Sequence, residues 1–424
     1  MTGAIILTVF LLLTFLGLPI AFSMGLASIV MFVYLDIPLS VLLTRTAASV
    51  DSSSLLAIPF FIIAGDILTA GGLSRRLIAF ANAIVGPARG GLGMVNVGAS
   101  VLFGGVSGSS AADTVAVGGV MIPAMKKEGY TGAFSAAVTA ASSNLGAIIP
   151  PSILLIIYGG ITGVSIGELF IAGIVPGIFL AAALMLITWW IGRKQAPGKK
   201  KFSVTDVWRT FKSAFLALLM PVIMIGGILG GVFTATEAGV IIIALATLIA
   251  TFVYRDLTFR VALKILLRSV VTSSTLMLII AMASGIAWIM ARARIPQSLL
   301  GAMTGVTDNS TLVMLIVVAF LLLVGMFIET VSAAIIVVPV LFPLGQSMGY
   351  DPVHFALVIV MTLLIGQITP PLGVMLYVAA DIARVSLGSA IRAALPFVGI
   401  MIAVVVTVAL LPGIVTFLPS IMAP

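Results

Sequence analysis

The 424-residue sequence contains no cysteine and a single histidine, His354. Without thiols there is no disulfide framework, no cysteine nucleophile and no thiolate-ligated metal or iron–sulfur cluster. Charge is scarce too. Asp, Glu, Lys and Arg together make up 8% of the chain, roughly a third of the share usual in soluble domains. No hydrophilic stretch is long enough to fold as a separate soluble domain, the longest running from Arg193 to Lys212. The N-terminus, Met1 to Leu18, is apolar but lacks leading Lys or Arg and a clear cleavage motif. A retained first helix is therefore expected rather than a removed signal peptide.

What is there is apolar. Hydrophobic residues make up 61% of the chain and the mean hydropathy is +1.32, more than a water-facing surface of this size can carry. Apolar runs of spanning length, about 20 residues each, recur from end to end. The chain reads as an all-α polytopic membrane protein whose solvent is the lipid bilayer.

The sequence also repeats itself. A shift of 220 residues places Phe32-Val33-Tyr34 and Asp36 on Phe252-Val253-Tyr254 and Asp256, Ser53-Ser54 on Ser273-Ser274, and Gly65 on Gly285. The same shift pairs Gly105 with Gly325, Pro123 with Pro343, Gly129-Tyr130 with Gly349-Tyr350, Gly146 with Gly366, Pro150-Pro151 with Pro370-Pro371, and Pro176 with Pro396. Chance agreement among leucine-rich helices matches Leu, Val and Ala; it does not match paired prolines at one constant offset. Residues 1–192 are expected to form one repeat, 193–212 a basic linker and 213–424 a second repeat. Such duplication is characteristic of secondary transporters.

Cations set the orientation. By the positive-inside rule, the linker residues Arg193, Lys194, Lys199, Lys200, Lys201, Arg209 and Lys212 are cytoplasmic. If 91–126 and 310–347 are hairpins that enter and leave on one side, Arg75, Arg76, Arg89, Lys126, Lys127, Arg255, Arg260, Lys264, Arg268, Arg384 and Arg392 join them. Of 21 Lys and Arg residues, only Arg45, Arg292 and Arg294 then fall outside. With about five crossings per half, an odd number, the second repeat is inverted relative to the first. The net charge of +8 is thus topology rather than a nucleic-acid footprint.

Two kinds of segment break the rule that backbone in lipid must be regular. Each occurs once per half. One is the hairpin tip, Phe103 to Asp113 in the first half and Val324 to Thr330 in the second. The other is a break within a span: Ser142 to Ser152 inside a helix over about 131–160, and Ile365 to Gly373 inside one over about 352–382. Consecutive prolines end a helix and free carbonyls one turn back. Freed carbonyls with nearby hydroxyls suit a monovalent cation, and half-helix N-termini suit a carboxylate. The pattern predicts two cation sites related by the repeat, with an anion between them.

Acidic residues at membrane depth are costly and so become candidates. Asp113 follows the serine cluster, and Glu329 sits near the second tip. Glu237, after a Thr-rich turn, fits a helix cap equally well. Arg292 suits either a carboxylate or an interfacial anchor. His354 follows Asp351-Pro352 at a helix start, which is a structural position.

At these motifs the chain resembles the large membrane subunit of tripartite ATP-independent periplasmic (TRAP) transporters, nearly end to end. The carriers are Ile58-Pro59-Phe60-Phe61, Gly90-Gly91-Leu92-Gly93, Val106-Ser107-Gly108-Ser109-Ser110-Ala111-Ala112-Asp113, Ile122-Pro123-Ala124-Met125 and Ile149-Pro150-Pro151-Ser152. Gly167-Glu168-Leu169-Phe170, Pro352-Val353-His354-Phe355 and Pro370-Pro371-Leu372-Gly373 complete them. Thr234-Ala235-Thr236-Glu237 departs from the family's Thr-Pro-Thr-Glu at one position.

The resemblance implies an elevator-type fold like that of the ion-transporter superfamily. It also implies Na⁺-driven import of an organic anion, such as a C4-dicarboxylate or sialic acid, across a bacterial inner membrane. A periplasmic substrate-binding protein and a small four-helix membrane subunit are the implied partners. Gly105, Ser107, Asn144, Gly146 and Ile149 are implied at a first Na⁺ site, and Gly325, Gly366 and Thr369 at a second. Ser107, Ser109, Asp113, Ser152, Glu237 and Arg292 are the substrate-site candidates.

Three rivals follow from the same residues. A stand-alone carrier would need no binding protein. A passive channel is disfavoured by the hairpins. An intramembrane serine protease would use Gly105-Val106-Ser107-Gly108 with His354 as base, which requires the two within hydrogen-bond reach.

Overall fold

The computed structural model describes residues 2–52, 55–88, 90–195, 202–295, 297–298, 301, 307 and 309–422. Ser53, Ser54, Arg89 and linker residues 196–201 lie outside them. The described residues are helical throughout, with no strand among them.

The first half contains α1 (Thr2–Phe15), α2 (Ile20–Tyr34), α3 (Leu39–Val50), α4 (Ala57–Ala70) and α5 (Leu73–Val85). It continues with α6 (Gly91–Ser107), α7 (Ser110–Lys127), α8 (Gly132–Ser143), α9 (Ile153–Thr162) and α10 (Ile166–Gly192). The second half runs through α11 (Val204–Leu229), α12 (Ala235–Leu248), α13 (Phe259–Arg292), α14 (Ser310–Phe327) and α15 (Thr330–Ser347). It ends with α16 (Pro352–Gly366), α17 (Val374–Ala383), α18 (Leu387–Leu410) and α19 (Gly413–Met422).

Among the described residues, seven helices are long and apolar enough to cross a membrane: α10, α11, α12 with its extension to Val253, α13, α14, α15 and α18. The pair α4–α5, bent by 69° at Gly71-Gly72, makes an eighth if counted as one span. Large apolar side chains such as Leu186, Val222, Phe252 and Leu323 stand exposed along these helices. A face of that kind has lipid as its solvent, and the chain is a multi-pass membrane protein.

Polar caps mark where helices start, at exposed Asp351 and Thr131. Asp351 starts α16 by accepting from the N–H groups of Val353 at 3.0 Å and His354 at 2.8 Å, with Pro352 in the first turn. Thr131 starts α8 by accepting from Phe134 N at 3.3 Å. Each cap satisfies donors that no helical partner reaches.

Packing divides the helices into two groups. In one, α13 lies against α2, α3 and α4, while α12 packs on α4 and α11 on α5. In the other, α6 and α7 pair as a hairpin, α14 and α15 form another, and the broken spans α8–α9 and α16–α17 sit between them with α10 and α18 outside. The groups meet where α5 packs on α6 and α13 packs on α15. The helix starts of α6, α7, α8, α9 and α10 recur about 220 residues on, at α14, α15, α16, α17 and α18. The halves differ next to the hairpin: α3 and α4 are separate helices, whereas the corresponding α13 is one continuous helix of 34 residues.

Candidate substrate and ion site

The first hairpin turns at Gly108, whose φ of +66° favours glycine. Space enforces the choice as well, since a Cβ there would lie 2.6 Å from the Pro151 carbonyl oxygen. That close approach lets Ile153 N donate to Gly108 O at 3.2 Å, tying the tip to the start of α9. Ser109 is extended and caps α7, its Oγ accepting from Ala112 N at 3.4 Å. Between α8 and α9 the chain makes a short 3₁₀ turn, Asn144–Ala147, then Pro150-Pro151, whose peptide bond is cis, as is that of Pro370-Pro371. Gly104 and Gly146 are packed so closely that a Cβ on the former would lie 2.7 Å from the Cα of the latter.

Around this contact lies a set of buried oxygens without hydrogen-bond partners: Ser107 Oγ, Ser110 Oγ, both carboxylate oxygens of Asp113, and Asn144 Oδ1. Asp113 is fully buried, and its Cβ lies 3.6 Å from where a Cβ on Gly146 would stand. Ser100 Oγ donates to Ser142 Oγ at 3.0 Å and also interacts with that carboxylate. A fully buried carboxylate with no cationic side chain bonded to it is costly, and a proton or a cation must offset its charge. The same atoms are the acceptor-only or acceptor-rich oxygens that replace a hard ion's hydration. Among the described residues no three His, Asp or Glu side chains converge, so one carboxylate with neutral oxygens favours a monovalent ion over a divalent one.

The second half builds a tighter contact. A Cβ on Gly366 would overlap the backbone of Gly325. Gln367 Nε2 donates to Thr330 Oγ1 at the second hairpin's first turn, leaving Gln367 Oε1 buried without a partner. Thr369 Oγ1 donates to Ile365 O at 2.7 Å. Leu372 N donates to Met326 O at 3.4 Å, which ties the second hairpin to the second break, although not at the positions that the offset pairs with Ile153 and Gly108.

Both tips open on one cavity of about 360 Å³. Ser107 through Ala112 line it from the first hairpin, Glu329 through Val331 from the second, and Asp66, Thr69, Arg268 and Thr272 from the opposite helix group. The first turns of α7 and α15 thus border the same space, offering helix N-termini to an anion.

The sequence candidates fall into three places. Ser107 and Ser109 line this cavity, and Gly105, Asp113, Asn144 and Gly146 lie just behind it. Ile149 lies in the first break, half-buried against the position of Gly177. Ser152 is fully buried, accepting from Leu155 N at 3.2 Å and donating to Ala147 O at 2.6 Å, so its hydroxyl holds the break together rather than facing the cavity.

Glu237 and Arg292 are not brought to the hairpins. Glu237 forms a capping box with Thr234, accepting from its N–H at 2.7 Å and Oγ1 at 2.9 Å. Arg292 sits over the Trp288 ring at 5.6 Å, beside a second cleft of about 570 Å³ between α3, α13 and α15 that includes Arg45, Trp288 and Phe342. On α13 the first cleft is lined by Arg268 to Leu276 and the second by Ile280 to Ala291, so the two follow one another along the helix about one turn apart. Sequence reasoning missed Gln367, Thr330 and Arg268 as site residues. The amide inside Gly366-Gln367-Ile368-Thr369-Pro370-Pro371 was the available signal for Gln367.

His354 Nε2 lies 2.9 Å from Val408 O, and Ser107 Oγ has no partner, so no Ser–His dyad forms. Apolar spans around paired hairpins and broken helices define a membrane protein of the transporter class. The chain belongs to the family described as tripartite ATP-independent periplasmic transporter, DctM component, which matches residues 7–414. Family members are transporter permeases rather than enzymes, and the protease reading falls with the missing dyad.

Among relatives, the C4-dicarboxylate TRAP transporter large permease protein DctM of Rhodobacter capsulatus is 37% identical over the full length of both chains. The sialic acid TRAP transporter large permease protein SiaM of Vibrio cholerae is 35% identical, covering 96% of each. The crystal structure of the YdaH transporter of Alcanivorax borkumensis matches with a TM-score of 0.66 at 14% identity, over 88% of this chain and 87% of that one. That likeness is one of fold.

Proposed function

We propose that the chain is the membrane carrier for Na⁺-coupled import of an organic carboxylate, with the cation held behind the first hairpin tip and the anion in the cavity before it. The observation that carries this reading is the cluster of unpartnered buried oxygens on Ser107, Ser110, Asp113 and Asn144 beside an open cavity. Gln367 Oε1, Thr369 and the Gly325–Gly366 contact support a second ion position. Relatives named for C4-dicarboxylates and for sialic acid support an anionic, carboxylate-bearing substrate.

The recurrence of helix starts at about 220 residues supports two repeats, and the cation distribution supports their inversion. Two packing groups, with successive clefts along α13 between them, support an elevator motion in which the hairpin group slides against the other. A tripartite family name supports two further components, a small membrane subunit and a periplasmic binding protein, with the chain in the bacterial inner membrane.

Uptake of radiolabelled carboxylate into proteoliposomes is the test, with and without both partners and with and without an inward Na⁺ gradient. The reading expects uptake only with partners and gradient together. Uptake without partners would favour a stand-alone carrier; uptake indifferent to Na⁺ would defeat the coupling.

A further inference from the structure

Helix α13 carries Arg260, Lys264 and Arg268 at intervals of four residues, so the three cations run along one flank. All three are exposed. The flank continues through Thr272 and Leu276, and its last three members, Arg268, Thr272 and Leu276, line the hairpin cavity.

The charges around that cavity are not equivalent. Asp66 Oδ2 accepts from Ser269 Oγ at 2.8 Å. Glu329 Oε2 accepts from Ser332 N at 3.0 Å and Ser332 Oγ at 3.3 Å, capping α15. Both carboxylates keep their charge, but each has an oxygen turned to a donor on its own wall, Asp66 Oδ2 to Ser269 and Glu329 Oε2 to Ser332. Arg268 is the only cation lining the cavity, and it makes no ion pair or side-chain hydrogen bond among the described residues.

We propose that Arg268 makes this cavity selective for anions, and that Arg260 and Lys264, exposed on the same flank of α13, strengthen the field that draws a carboxylate to it. A guanidinium fork matches a carboxylate in two hydrogen bonds. A cleft with low-dielectric walls focuses the field of like charges along its length. The first turns of α7 and α15 border the same space with helix N-termini, so an anion at Arg268 would meet favourable partners on both walls. This inference rests on the transport reading, because it assigns the passing anion to that same cavity.

The cysteine-free sequence allows a direct test. A chain carrying Thr272→Cys, reconstituted in phosphatidylcholine vesicles, is reacted with an anionic and with a cationic methanethiosulfonate, and the two rate constants are compared. Adding Arg268→Gln is expected to lower the anionic-to-cationic rate ratio about tenfold, as removal of a unit charge several ångströms away in a partly solvated cleft implies. Arg268→Lys keeps the ratio, and Lys264→Gln lowers it by a smaller factor. Val115→Cys, which also lines the cavity, replaces Thr272→Cys if that variant fails to fold.

An unchanged ratio in Arg268→Gln overturns the proposal, as does a thiol that neither reagent reaches at either position. A fall seen only in vesicles containing phosphatidylglycerol would assign the arginine to a lipid phosphate and overturn it too. Wild-type chain that shows the expected ratio but no Na⁺-driven uptake would defeat the transport reading alone. Normal uptake with an unchanged ratio would defeat this inference alone.

Discussion

Asn144 donates through Nδ2 to the carbonyl oxygen of Leu364 at 2.8 Å, and the two residues are 220 positions apart. Each is thus bonded to the position onto which the sequence offset maps it. The two broken spans meet back to back, and the amide of one satisfies a carbonyl near the end of the other. The remaining atom of that amide, Oδ1, is buried and unpartnered, like the oxygens of Ser107 and Ser110. One side chain therefore holds the two breaks together and contributes an acceptor to the candidate ion site.

Asn144→Ala removes both roles. Loss of a buried hydrogen bond is expected to cost about 1–3 kcal/mol and to lower the melting temperature in detergent. In proteoliposomes the Na⁺ concentration for half-maximal uptake should rise. Wild-type melting and wild-type Na⁺ response together would remove Asn144 from both roles.

The glycine contacts separate packing from ligation. A Cβ on Gly366 would overlap the Gly325 backbone, whereas one on Gly105 would make ordinary contact with Pro221 at 3.4 Å. Gly366→Ala should cost about 1–3 kcal/mol through forced backbone shifts. Gly105→Ala, inside α6 with room for a Cβ, should leave stability unchanged or raise it by up to about 1 kcal/mol. Thermal unfolding of the two purified variants checks the order; equal melting temperatures would contradict it.

Ser152 was a plausible substrate hydroxyl by sequence, but its Oγ is bonded on both sides within the break. Ser152→Ala is expected to cost about 1 kcal/mol as a lost N-cap while leaving the KM for uptake within twofold. A large rise in KM with unchanged melting would restore the substrate role.

Much of this arrangement was legible in the sequence. Gly108, Pro150-Pro151 and Pro370-Pro371 punctuate apolar spans where the chain turns, because glycine and proline act locally. The approach of Gly325 to Gly366 and the exhaustion of the Ser152 hydroxyl depend on tertiary contacts that no spacing encodes. Arg268 was counted only as one cation among many that set orientation; its place in the cavity follows from which helix packs opposite the hairpins. Glu237 illustrates the reverse, since its place after a Thr-rich turn fits a helix cap as well as a substrate contact, and the structure contains the cap.

The central claim is that the buried oxygens behind the first hairpin tip hold Na⁺. Binding of radiolabelled sodium to the purified protein, measured by scintillation proximity, tests it most directly. Asp113→Asn preserves shape but removes the one carboxylate of the site, and Gln367→Leu removes the unpartnered amide oxygen of the other. The account predicts saturable binding to the wild-type protein, with one component lost in each variant. Wild-type binding retained in Asp113→Asn, or no saturable binding at all, would contradict it.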